Sequence, residues 1–129
     1  MPRDGALADA ATDRQRTAAE IAYFCVRCGR LVTTDRWRLA MNGDHEHVVF
    51  NPAGLVFRIL CFKEAPGIEA VGPPSGDFTW FAGYNWRIGR CCGCGGHLGW
   101  RYQGEAAPAI FFGLIKPMLT IGSTSTAPP

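Results

Sequence analysis

Two short cysteine pairs, Cys25-Val-Arg-Cys28 and Cys91-Cys-Gly-Cys94, constrain this chain more than any other feature. Thiolates at Cys-x-x-Cys spacing take two corners of a tetrahedron at about 2.3 Å from a zinc ion, and two such pairs complete a closed four-sulfur site. A closed site keeps no open coordination position, so the expected metal is structural rather than catalytic. The pairs stand further apart than in a zinc finger, so the metal would tie an early segment to a late one. Such binding is worth about 10–16 kcal/mol in small zinc domains, comparable to a whole domain's stability. The competing account is a disulfide or a redox couple; two pairs in a chain whose thiols stay reduced favour metal.

The other candidate ligands fit less well. Cys92 breaks the spacing and reads as a bystander thiol, and Cys61 lies in an apolar run and reads as core. His97 follows Cys94 by three and is a weaker candidate than the four cysteines. His45 and His47 form a His-x-His pair in a polar segment, and are expected to be solvated.

Composition narrows the class. Among 129 residues, 47% are hydrophobic, which places the chain among globular proteins. A net charge of +2, with scattered arginines, is too mild for a nucleic-acid footprint. No apolar run is long enough to span a membrane, and the first residues carry charges where a secretory signal would be apolar. The expectation is a cytoplasmic protein, and the Ala, Gly, Pro and Arg richness hints at a bacterial source. Three parts are expected: a polar leader over residues 1–20, one folded domain over 21–120, and a disordered Ser/Thr/Pro-rich tail over 121–129.

Short apolar runs punctuated by Gly and Pro argue for an all-β domain. Strands are expected at Ile21–Cys25 and His97–Gln103, and Val48–Phe62 reads as a hairpin around the turn Asn51-Pro52-Ala53-Gly54. Pro73-Pro74 makes residues 67–76 read as a loop. Ala109–Thr120 is apolar apart from Lys116 and is broken by Pro117.

Four aromatic residues form the second signal. Trp100 and Tyr102 are two apart, so on a strand they share a face. Trp80 and Trp86 flank Gly83, which lets the segment fold back and bring both indoles together. A tryptophan-rich core is the plain account. A pocket is favoured because buried indole N–H groups need partners, and because these residues lie just before and after the second cysteine pair. Such walls suit a ring held by dispersion, or a quaternary ammonium held by cation–π attraction.

The run Phe78-Thr-Trp80-Phe-Ala-Gly-Tyr-Asn-Trp86 and the run Cys91-Cys-Gly-Cys94-Gly-Gly-His97-Leu-Gly-Trp100-Arg-Tyr102 closely resemble the thalidomide-binding (CULT) domain family of cereblon. Cys25-Val-Arg-Cys28 and Asn51-Pro52-Ala53-Gly54 match that family's first cysteine pair and pocket-side turn. The likeness covers about Tyr23 to Leu119, and it is that of a stand-alone bacterial member. It implies a β-tent of two antiparallel sheets pinned by a four-cysteine zinc site, with Cys25, Cys28, Cys91 and Cys94 as ligands. It implies a cage walled by Trp80, Trp86 and Trp100, with Tyr102 as its floor and Asn51 at its mouth. The implied ligands are small neutral cyclic imides, including glutarimides; whether the natural ligand is a C-terminal cyclic imide of proteins or a uracil-like ring is left open. The Phe78 carbonyl would accept the imide N–H, and the Trp80 backbone N–H would donate to an imide carbonyl. Phe78 departs from the family, which has His in cereblon itself. The expected function is a binding module with no catalytic residues. The alternatives are an enzyme like methionine sulfoxide reductase B, for which only Cys61 and Cys92 could serve as nucleophile, and a reader of methylated ammonium groups.

Overall fold

The computed structural model describes residues 20–124. Nine strands, all paired antiparallel, account for most of them. They are β1 (Ile21–Cys25), β2 (Leu31–Thr34), β3 (Glu46–Phe50), β4 (Val56–Phe62), β5 (Ile68–Ser75), β6 (Tyr84–Cys91), β7 (His97–Gly104), β8 (Ile110–Ile115) and β9 (Leu119–Ser123). A three-stranded sheet runs β9-β1-β2, and a six-stranded sheet runs β3-β4-β8-β7-β6-β5. The expected all-β fold of two antiparallel sheets is therefore present.

The strands arise where period-two apolar patterning meets turn chemistry. In β4, Ile59, Leu60, Cys61 and Phe62 are all buried, because both faces of the large sheet are covered. Leu60 and Phe62 join one core with Tyr23, Cys25 and Val32 of the small sheet. Ile59 and Cys61 point the other way, into a second core with Phe81, Tyr84, Tyr102 and Phe111. One core thus faces the cysteine pairs and the other faces the tryptophans. The β3–β4 hairpin closes through the expected turn. Gly54 N–H donates to the Asn51 carbonyl at 2.9 Å, and Gly54 takes the positive φ of 84° that favours glycine.

Three expectations need correction. Residues 67–76 are not a loop: β5 spans most of them. Its prolines are tolerated because β5 is an edge strand and its pairing with β6 breaks between Val71 and Ser75. The Arg87 guanidinium donates to the Gly72 and Ala70 carbonyls across that break, at 2.8 and 3.2 Å. The tail does not begin at 121, because β9 continues to Ser123, with Ile121 paired to Tyr23. Pro117 sits in a single 3-10 turn, Lys116–Met118, that passes the chain from the large sheet to the small one. Residues 1–19 and 125–129, which hold nearly all of the expected leader and the end of the expected tail, lie outside the described residues. Finally, His45 and His47 are only partly solvated. His45 Nδ1 lies 3.1 Å from the Leu39 carbonyl and its ring packs edge-on to Phe62. His47 Nε2 lies 3.0 Å from the Asp44 carbonyl and its ring packs against Phe81. Among the described residues, no helix is long and apolar enough to cross a membrane.

Candidate metal centre and ligand cavity

Cys25 ends β1 and Cys91 ends β6, and after each the chain makes the same turn. Cys25 N–H donates to the Arg30 carbonyl and Gly29 N–H to the Cys25 carbonyl, both at 2.8 Å. Cys91 N–H donates to the Gly96 carbonyl at 2.8 Å and Gly95 N–H to the Cys91 carbonyl at 2.9 Å. Gly29 and Gly95 take nearly equal positive φ values of 79° and 77°. The two knuckles are therefore local copies of one another, brought together by the packing of the sheets.

Their sulfurs converge. Cys25, Cys28, Cys91 and Cys94 place all four Sγ atoms within 4.8 Å of one another. Cys25 Sγ is 3.7 Å from Cys94 Sγ, and Cys28 Sγ is 3.5 Å from Cys91 Sγ. A tetrahedron with metal–sulfur bonds of about 2.3 Å has sulfur–sulfur edges of about 3.8 Å, so the four thiols fit a metal ion of that size. Gly93 N–H donates to Cys91 Sγ at 3.3 Å, as suits a thiolate. Burial opposes the Cys91 thiolate, but the backbone N–H groups of Cys94 and Gly93 and the thiols of Cys28 and Cys25 outweigh it and bring Cys91 to about 7. The Arg30 N–H favours a Cys28 thiolate, yet burial and the three neighbouring sulfurs push Cys28 up to about 11. Four sulfurs so close cannot all lose protons unless a cation replaces the protons. His97 stands outside this cluster, with Nε2 3.0 Å from the Gly99 carbonyl.

On the opposite face of the large sheet lies a cavity of about 180 Å³. The six residues singled out for ligand binding, Asn51, Phe78, Trp80, Trp86, Trp100 and Tyr102, all line it, together with Pro52 and Asp77. Trp86 and Tyr102 are directly opposed on β6 and β7, and Trp100 precedes Tyr102 by two, so register places all three on one face. A β-bulge lies just beyond them. Gly89 pairs with Gly99 and Arg90 with His97, so Leu98 is the extra residue. Leu98 turns into the core facing the cysteines, while Trp100 stays on the cavity side.

Trp80 comes from the loop before β6 and meets Trp100 edge to face at 4.9 Å between ring centroids. Its indole N–H donates to the Phe50 carbonyl at 2.7 Å, and that of Trp86 donates to the Asp77 carbonyl at 2.8 Å. These bonds lock two walls to the backbone of flanking segments. Tyr102 is buried and stacks on Phe111 at 4.8 Å, forming a rigid base. Gly113, opposite Trp100, leaves room: a Cβ there would meet the Tyr102 ring at 3.2 Å and Ile59 at 3.3 Å. At the lip, Phe78 holds a left-handed backbone, φ 54°, with its side chain 74% exposed. That is costly for a bulky residue and marks a constrained segment. Among the described residues, nothing bonds the Phe78 carbonyl or the Trp80 backbone N–H.

No family model matches the chain. Cereblon of Drosophila virilis is 39% identical over 121 residues, covering 85% of this chain and 18% of the fly protein. Cereblon of Drosophila melanogaster is 30% identical over the same length, covering 20% of that protein. Cereblon of Xenopus tropicalis is 36% identical over 72 residues, covering 54% of this chain and 16% of the frog protein. This chain is a cereblon-like domain. It spans about a fifth of the length of these relatives.

Within this cereblon-like domain, two braces of the cavity escaped the sequence reading. Phe57 stands behind both Trp80 and Trp100, at 5.8 and 5.4 Å. The His97 ring meets Trp100 edge to face at 4.9 Å, so the second knuckle leads directly into a cavity wall. Period-two alternation puts Phe57 on the face of Cys61, but the neighbours it meets there depend on the loop carrying Trp80. Trp37, which is not part of the expected cage, packs on the other core. Cys61 is fully buried, which pushes its thiol up to about 12.

Proposed function

We propose that this domain is a binding module for small neutral cyclic imides, held over Tyr102 between Trp80, Trp86 and Trp100. The observation that carries the reading is the pairing of an aromatic cavity of single-ring size with an unbonded backbone acceptor, the Phe78 carbonyl, and an unbonded backbone donor, the Trp80 N–H, at its lip. An imide edge presents one N–H beside a carbonyl, and matches both. Glutarimide-like and uracil-like rings share that edge, as does a cyclic imide at a protein's C-terminus, which makes damaged proteins candidate partners. Neither nucleic acid nor a membrane enters this reading, and the site of action is the cytoplasm.

The four cysteines hold zinc in this reading. Their sulfur geometry fits it, and its role is to fix the two knuckles against each other. A binding role is favoured over an enzymatic one because neither spare cysteine lines the cavity and Cys61 is held protonated, which disfavours a thiolate nucleophile.

Titration with glutarimide and with N-methylglutarimide, followed by tryptophan fluorescence, tests the reading. Saturable quenching by the first alone is expected; equal response to both would refute the N–H recognition. One observation favours a second reading: Asp77 lines the cavity, and a carboxylate beside indole walls suits a methylated ammonium group. Trimethyl-lysine displacing glutarimide at equal concentration would favour that reading.

A further inference from the structure

The cysteine centre is open on one side. Cys25 and Cys91 are buried, whereas Cys28 and Cys94 are exposed. Beside each exposed sulfur lies an arginine. A Cβ on Gly93 would stand 3.3 Å from Cys28 Sγ and 3.1 Å from Arg30 Cδ. One on Gly96 would stand 3.4 Å from Cys94 Sγ and 3.4 Å from both Cδ and Nη1 of Arg27. Both arginines belong to the first knuckle, and both cross onto glycines of the second. The two glycines supply the room for that crossing.

Neither arginine makes an ion pair with a carboxylate among the described residues, where Glu20, Asp35, Glu46 and Glu69 are taken by other cations. A divalent ion bound by four thiolates leaves negative charge in excess, and that excess sits on the sulfurs. Its attraction for a nearby cation is large on the exposed side only while both stay close and salt is low. We propose that Arg27 and Arg30 form a cationic clamp over the exposed sulfurs, which offsets the excess charge on Cys28 and Cys94 and slows loss of the metal through the open side. They act as positioning residues for the centre, one per exposed sulfur. The clamp rests on the zinc reading above.

The test is the rate at which zinc-loaded protein gives up its metal to the neutral chelator TPEN, at fixed neutral pH. A neutral chelator is needed because an anionic one would itself be drawn to the arginines. The double variant Arg27→Gln, Arg30→Gln is expected to lose zinc about tenfold faster at low salt. The gap should close in about 1 M salt, where the screening length is about 3 Å. Arg27→Lys with Arg30→Lys should restore most of the wild-type rate, because a clamp needs charge more than shape. Should the double Gln variant fail to fold, each single Gln variant carries the same test with a smaller effect. Release at the wild-type rate would overturn the clamp, as would faster release that salt does not close and Lys does not rescue. Purified wild-type protein without stoichiometric zinc would instead overturn the metal reading, and the clamp with it.

Discussion

The cysteine centre and the aromatic cavity lie on opposite faces of one sheet and are built by opposite strategies. At the centre, each half is shaped by six consecutive residues, with the same two backbone bonds and a glycine at the same place. Only the meeting of the halves is long-range. At the cavity nothing is local. Trp86 and Trp100 are aligned by strand register, Trp80 is anchored to the β3 backbone 30 residues away, and Tyr102 rests on Phe111 of another strand. The centre can therefore form whenever two preformed turns meet, whereas the cavity exists only when the whole large sheet is in register. His97 joins the two, leaving the second knuckle and bracing Trp100.

The strongest way to break this contrast is Cys91→Ser. It removes a buried member of the four-cysteine cluster and puts at stake a metal-binding term of about 10–16 kcal/mol, comparable to a whole domain's stability. Loss of metal and of near-ultraviolet circular dichroism at 25 °C is expected. If metal-free protein still binds glutarimide, the cavity half stands without its staple and the dependence is one-way. The next largest effect is expected on the cavity side. Phe111→Ala removes a fully buried ring that contacts Phe81, Tyr84 and Tyr102, at a cost of about 3–5 kcal/mol. Denaturant unfolding should show that loss while the metal content stays at wild type.

That difference in construction also governs what could be read from the sequence. The convergence of the four cysteines was legible because spacing alone encodes each half. Trp100 and Tyr102 were legible as a pair because a strand has period two. Leu98 was not: a bulge is visible only once β6 supplies the partner that counts two residues against one. Nor was β5, since two prolines forbid a central strand but not an edge strand, and edge position is a property of the finished sheet. The same holds for His45 and His47, which the polar segment around them placed in water and which Phe62 and Phe81 hold against the core.

Trp100→Ala sharpens the contrast from the ligand side. Trp100 is half-buried and packs against Trp80, Phe57 and His97, so its loss should weaken glutarimide binding by about 2 kcal/mol, roughly thirtyfold. Calorimetric titration measures this. Metal content is expected to stay unchanged, because the two knuckles keep their own backbone bonds.

The smallest expected effect tests the tie between the two regions. Glu46, at the start of edge strand β3, whose far end leads to the cavity, accepts from Lys116 Nζ at 3.1 Å and lies 3.6 Å from Arg58. Lys116 opens the turn into β9, whose neighbour Met118 holds the first knuckle by accepting from Val26 N–H at 3.0 Å. The hydrogen bond from Lys116 lowers the Glu46 pKa below its ordinary 4.5; burial, the next-largest influence, opposes it, and the charges of Lys116 and Arg58 add to the lowering. A carboxylate lowered in the folded state binds fewer protons folded than unfolded, so its contribution is complete above about 4.5 and fades as pH falls through the folded value. Both side chains are only half-buried and reach solvent, which limits the contribution to about half a kcal/mol. Glu46→Gln should therefore lower stability slightly at neutral pH, and the difference from wild type should vanish in acid. Urea titrations of both proteins across that pH range measure it. A gap that persisted in acid would mean that Glu46 acts through packing, and that the two faces of the sheet are coupled by shape rather than by this charge.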